Sequence, residues 1–192
     1  MAAMLDEPFR LAAIVFEPGE DPDAPLGAFL ASLTTRGLRV GGLVQEHGQA
    51  DGCDLHDVRV RNLLTGERLD VMQNLGALSS ACRVDPGAIA VAARQLAEAL
   101  ATRPDLLVAN RFGRLESEGG GAIAEIGQAV VEGVALVVCV PRRYLKAWND
   151  FACGLDRQLP ARLDALEAWW RDVAYNSAST SLASDSGVSV GA

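Results

Sequence analysis

The chain has 192 residues, 49% hydrophobic and 22% charged, a length and balance suited to one α/β domain with a sizeable core. Its formal net charge of −8 argues against a general nucleic-acid binder, which needs a basic face to meet phosphates. No apolar run reaches the roughly 18 residues of a membrane span, the acid-containing N-terminus does not read as a signal peptide, and four cysteines without paired spacing suit a reducing cytoplasm.

In chain order, "LAAIVF" (11–16) is an unbroken apolar run, the pattern of a strand buried on both faces. The loop "EPGEDPDAP" follows, and Asp23 is placed to cap a helix carrying Leu26, Phe29, Leu30 and Leu33 on one face. Gly37 closes that helix and "LRVGGLVQ" returns as a strand. From Asp57 to Gln73, two alternating runs around Thr65-Gly66 predict a β-hairpin. Asp85 as N-cap and Pro86 at the first helical position open the next helix, with Ile89, Ala93, Leu96 and Leu100 on its inner stripe. Then come the strand "DLLVAN", the helix "GAIAEIGQAVVEG", the strand "VALVVCV", where Cys139 reads as a small buried hydrophobe, and a last helix marked by Leu159, Leu163, Leu166, Trp170 and Val173. Trp169 lies off that stripe and reads as core or as a partner contact. The alternation implies a mostly parallel sheet flanked by helices, with an inserted hairpin. The domain is expected over 1–175, and the small polar residues of 176–192 are expected to form a disordered tail.

Ligands of open α/β sheets bind beyond the carboxyl ends of the strands; of the loops there, which include "QEHGQ" and "PRRYLK", the two distinctive ones are "EPGEDPD" and "NRFGRLESEGGG". The first loop has one glycine, no lysine and the four acids Glu17, Glu20, Asp21 and Asp23, a charge pattern that repels a triphosphate. In the second, Arg111 and Arg114 follow a buried strand and precede a glycine-rich turn into a helix. That pattern suits an anion site. It equally suits an ion-pair cluster with Glu116, Glu118 or the acids of the first loop. Arg83, in "CRVDP", is a third candidate cation. Cys53 and His56 in "CDLH" lack the second ligand pair of a zinc site.

The motifs "NRFGRLE" and "CRVDP", with "VGGLVQ", "GCDLHDVRVRNLLTGE" and "WNDFACG", resemble a bacterial family catalogued only as a domain of unknown function. Its members are often encoded near molybdate-transport genes, and the resemblance spans about Arg10 to Leu155. That family is in turn similar to small P-loop nucleoside triphosphatases, whose metal-holding aspartate falls on Asn110 and whose catalytic glutamate falls on Arg111. Gly113 and Glu116 keep the glycine and last glutamate of the motif. The phosphate-binding loop falls on "EPGEDPD", which keeps none of its pattern. An amide lacks the charge that holds a metal, and a guanidinium cannot act as a general base at neutral pH.

The resemblance implies a degenerate, non-hydrolysing P-loop NTPase-like scaffold and supplies the link to molybdate; the charges of the strand-end loop add the expectation of a cytoplasmic protein that binds a small anionic ligand, molybdate or a nucleotide, through Arg83, Asn110, Arg111, Gly113, Arg114, Glu116 and Gly119. Two alternatives stand beside it. One is a nucleoside triphosphatase with a metal site rebuilt from Glu17, Asp21 and Glu116; the other is an interaction module. A homodimer is compatible with each. No catalytic residue and no metal ligand is assigned.

Overall fold

The first apolar run forms β1 (Leu11–Phe16) and alternates strictly between two sides. Ala12, Ile14 and Phe16 face one hydrophobic cluster, and Leu11 and Ala13 face the other. The same period of two runs through β5 (Leu106–Arg111) and β6 (Leu136–Pro141), as required of strands covered on both faces. The computed structural model describes residues 9–47, 58–72 and 84–185.

The sheet has seven strands in the order β4-β3-β2-β5-β6-β1-β7, with β2 (Val40–His47), β3 (Val58–Asn62), β4 (Arg68–Asp70) and β7 (Asp156–Pro160). Strands β7, β1, β6, β5 and β2 are mutually parallel, while β3 and β4 add an antiparallel hairpin to the outer edge of β2. Counted among themselves, the five parallel strands read 5-1-4-3-2 across the sheet. One face is covered by α1 (Asp23–Thr35) and α6 (Leu163–Asp185). The other is covered by α2 (Pro86–Ala101), α4 (Ile123–Val131) and α5 (Leu145–Ala152). A four-residue turn of helix, α3 (Arg114–Ser117), follows β5.

The hairpin and the Asp85–Pro86 helix start appear where the sequence places them. Asp85 Oδ1 accepts from Gly87 N at 2.7 Å and Ala88 N at 3.2 Å, and Asn62 Oδ1 folds the hairpin turn by accepting from Leu64 N at 2.9 Å. Gly42 is required by close approach: its φ is +104°, and a Cβ there would stand 2.1 Å from the carbonyl oxygen of Val108 on β5.

Two expectations need correction. Leu159 belongs to edge strand β7, not to the last helix: β1 offers "DRQLP" a hydrogen-bonding edge, and that polar text carries no apolar alternation to announce a strand. Leu163 is 41% exposed, so the buried stripe of α6 is Leu166, Trp169, Trp170 and Val173, and Trp169 is core, donating from Nε1 to the Phe9 carbonyl at 2.8 Å. Helix α6 runs through Asp185. Alanine and serine extend a helix already anchored by packing, and no glycine or proline interrupts it before that residue.

Candidate functional site

The loop after β1 closes on itself. Glu17 N donates to Glu20 Oε2 at 2.6 Å, Glu20 N donates to the Glu17 carbonyl at 3.1 Å, and Asp21 Oδ1 accepts from Asp23 N at 2.9 Å and Ala24 N at 3.4 Å. Pro18, Pro22 and Pro25 have no N–H to offer. A loop that holds phosphates does so with free amides, and here the chain's own carboxylates and carbonyl occupy the amides of Glu17, Glu20, Asp23 and Ala24. Pro22 holds the N-cap position, and the side chain that caps the first amides of α1 is that of Asp21 just before it, not Asp23 as the sequence suggested. Asp23 already lies in the first turn and its carboxylate is drawn elsewhere.

Its partner comes from the end of β5. Ala109 pairs with Val138 and Arg111 with Cys139, so residue 110 has no counterpart on β6. The extra residue is a β-bulge, and bulges re-aim side chains. Leu107 and Ala109 face the α2 side, and strict alternation would send Arg111 there too. The bulge turns it to the α1 side instead. The guanidinium carbon sits 5.0 Å from the centre of the Phe16 ring, and Nη2 donates to Asp23 Oδ2 at 2.6 Å. The two side chains are only 21% and 22% exposed. Nε of Arg111 is enclosed and has no hydrogen-bond acceptor, so that N–H of the guanidinium is unengaged. Beneath the pair, burial pushes the Cys139 thiol up to about 12; the Asp23 charge adds to that push and Arg111 opposes it. Cys139 is therefore an inert core thiol, as its apolar run suggested.

Phe112, the next residue, turns the other way and anchors the motif. It is fully buried and meets Trp148 of α5 edge-on, with ring centroids 5.2 Å apart; Trp148 Nε1 donates to Asp156 Oδ2 at 2.8 Å. The "NRFGR" and "WNDF" segments are thus two halves of one packing contact.

The rest of the predicted set divides. Glu116 ties its own loop, its Oε2 accepting from Gly113 N at 2.8 Å and its Oε1 from Ala122 N at 3.2 Å. Gly121, at φ +58°, leaves the space for that carboxylate, since a Cβ there would lie 2.0 Å from Oε1. Gly113 and Gly119 shape the same turn. Arg114 points outward and pairs with Glu118 at 3.0 Å, with its side chain 77% exposed. Asn110 marks the bulge position, and its side chain lies outside the described residues, as do Arg83, Cys53, Cys82 and His56. Of the predicted ligands, Arg111 alone is seen to line the strand-end crevice among the described residues.

That crevice has a volume of about 720 Å³ and carries four carboxylates, from Glu20, Asp21, Asp23 and Glu46, against the guanidiniums of Arg68 and Arg111. Glu46 is held below the usual carboxylate range, first by the hydrogen bond from Arg68 and further by Arg61, at 2.7 and 2.5 Å. Sequence reasoning singled out neither Glu46 nor Arg68. The strand-end rule did select the "QEHGQ" loop, but only the hairpin's fold brings Arg68 across to it.

The metal site imagined from Glu17, Asp21 and Glu116 is not assembled. Glu17 pairs with Arg142 at 2.8 Å, Asp21 caps α1 and Glu116 caps its own loop. Among the described residues, no group of three His, Cys, Asp or Glu side chains could hold a metal ion. No described helix is long and apolar enough to cross a membrane.

With this geometry in place, comparisons with known proteins locate the chain. A family model described as "Protein of unknown function (DUF2478)" matches residues 11–169. The chain is 34% identical over 167 residues to a protein of Bradyrhizobium diazoefficiens named "Molybdenum import ATP-binding protein ModC 2"; the match takes in 86% of this chain but 18% of that protein's length. Among solved structures it is similar to THEP1 from the hyperthermophile Aquifex aeolicus, with a TM-score of 0.58 and 13% identity, over 80% of this chain and 91% of that one. It is also similar to a human cancer-related nucleoside triphosphatase, with a TM-score of 0.61 and 16% identity, over 83% and 94% of the two chains. At these identities the likeness shows a shared fold.

Proposed function

We propose, from the premise that the chain belongs to the DUF2478 family, that it is a non-hydrolysing anion-binding protein on a degenerate nucleoside-triphosphatase scaffold. Its crevice takes an anion by displacing an internal carboxylate, Asp23, from Arg111. One observation carries this reading: the Arg111–Asp23 pair at 2.6 Å, held over Phe16 at the strand end, with Nε of Arg111 unpartnered. An oxyanion that replaced Asp23 could engage Nε together with Nη2, which one carboxylate oxygen on Nη2 does not do. The acids around it set a high threshold for entry. The name of the ModC 2 relative makes molybdate the first oxyanion to try.

Hydrolysis is disfavoured on the same ground. The amides that would cradle phosphates are engaged by Glu20 and Asp21, and the carboxylates that would hold a metal are engaged one by one.

The test is calorimetric titration with molybdate, tungstate, sulfate, phosphate, ATP and GTP, each with and without magnesium. One oxyanion should bind without magnesium and none of the nucleotides should be turned over. Asp23→Asn should tighten that binding about tenfold or more, by removing the competing charge, and Arg111→Ala should abolish it. Magnesium-dependent nucleotide turnover, or no anion bound by either wild type or Asp23→Asn, would overturn the proposal.

A further inference from the structure

The strand-end crevice does not stop at the ion pair. Through Asp23, Gln45 and Glu46 it continues into a second hollow of about 570 Å³ along the seam between α1 and β2. The character of the walls changes along the way. At the crevice they are charged; farther along, Leu26, Leu30, Val40, Val44 and Leu63 supply apolar surface, and Arg61 stands at the junction. A tetrahedral oxyanion has no apolar surface to match such a wall, and it would leave the groove empty. Volumes of this size, apolar with a few convergent polar groups at one end, suit a small organic molecule.

Gly27 adds an independent sign. It lies within the 13-residue α1, where glycine weakens a helix relative to alanine. It lines the groove, and a Cβ built on it would meet nothing within 4 Å. Neither packing nor a positive φ requires glycine there. Its effect is to leave the groove one side chain wider, next to the turn that carries Asp23.

We infer that the ligand of this protein is an organic anion, whose anionic head exchanges with Asp23 on Arg111 and whose apolar body lies in the α1–β2 groove. The inference rests on the anion-binding reading above and narrows its ligand class from bare oxyanions to phosphate- or carboxylate-bearing molecules with an apolar part. Arg61 and Arg68 flank the passage between head and body and share the one carboxylate of Glu46, so the junction keeps one net positive charge, which favours entry of an anion.

The experiment compares inorganic phosphate with 1-naphthyl phosphate by calorimetry, on wild type, Arg111→Ala, Gly27→Leu and Ala31→Leu. Gly27 and Ala31 both line the groove, and leucine is a better helix former than glycine, so two separate plugs are available with folding checked by circular dichroism. On wild type the naphthyl ester should bind at least about tenfold more tightly than phosphate, from burial of its ring. Either plug should remove that advantage while leaving phosphate affinity within about twofold, and Arg111→Ala should remove both. Equal affinity of the two anions on wild type, or an advantage that survives both plugs, would overturn the groove assignment while leaving the anion site standing. Absence of any anion binding would overturn both.

Discussion

Gly42 shows how one residue can set the distance between two strands. Its positive φ and the 2.1 Å approach of its missing Cβ to the Val108 carbonyl mean that alanine must push β2 away from β5. We expect Gly42→Ala to cost at least about 3 kcal/mol in denaturant unfolding, strain and clash acting together; a loss below about 1 kcal/mol would mean the strands part without penalty. Arg111 belongs to the same scale. Its residue type was legible as a strand-end cation, and a pairing with the acidic first loop was one of two readings open from the sequence. What placed Arg111 beside Asp23 was a bulge of one residue, which no local pattern announces.

At the scale of elements, the hairpin is joined to the sheet by more than its ladder. Glu46 of β2 bridges Arg61 of β3 and Arg68 of the edge strand β4, and Gln95 of α2 donates to Glu67 at 3.2 Å. Because the Glu46 carboxyl is held below its ordinary value in the fold, its contribution is present above the unfolded-state value and is lost as pH falls through the lower folded one. Wild type should therefore lose more stability than Glu46→Gln between neutral pH and about pH 3. The difference at neutral pH should be of the order of 1 kcal/mol or less, given partial exposure. Parallel stability curves for the two proteins would show that the arginines do not act through this carboxylate. The hairpin itself was readable, since alternation and a Thr-Gly turn are local. The ion-pair network was not, because Glu46 and Arg68 are 22 residues apart.

For the whole molecule, the sheet separates two hydrophobic clusters that share every central strand. Trp148 reports on one, and Trp169 and Trp170 report on the other. Neither face can lose its helices without exposing strands that also form the opposite core, so unfolding should be one cooperative event. Fluorescence melts of a Trp148→Phe protein and of a Trp169→Phe/Trp170→Phe protein each follow one face by its remaining tryptophans. After normalisation to each variant's own calorimetric midpoint, fluorescence and calorimetry should coincide in both. A fluorescence transition that precedes the calorimetric one in either protein would show that its face opens separately.

What the sequence by itself determined is the order and kind of the main elements: buried strands from unbroken apolar runs, helices from caps and stripes, the hairpin from alternation around a turn. These signals act over a few residues, where backbone and side-chain preferences are set by near neighbours. The tertiary structure decided where the edge strand β7 lies, that Trp169 is core, that Asp21 and not Asp23 caps α1, and that Arg111 turns to the α1 side. Each of these depends on contacts between distant segments. β7 is a strand because β1 offers it a hydrogen-bonding edge, and Asp23 leaves the cap because an arginine 88 residues away is delivered to it across the sheet.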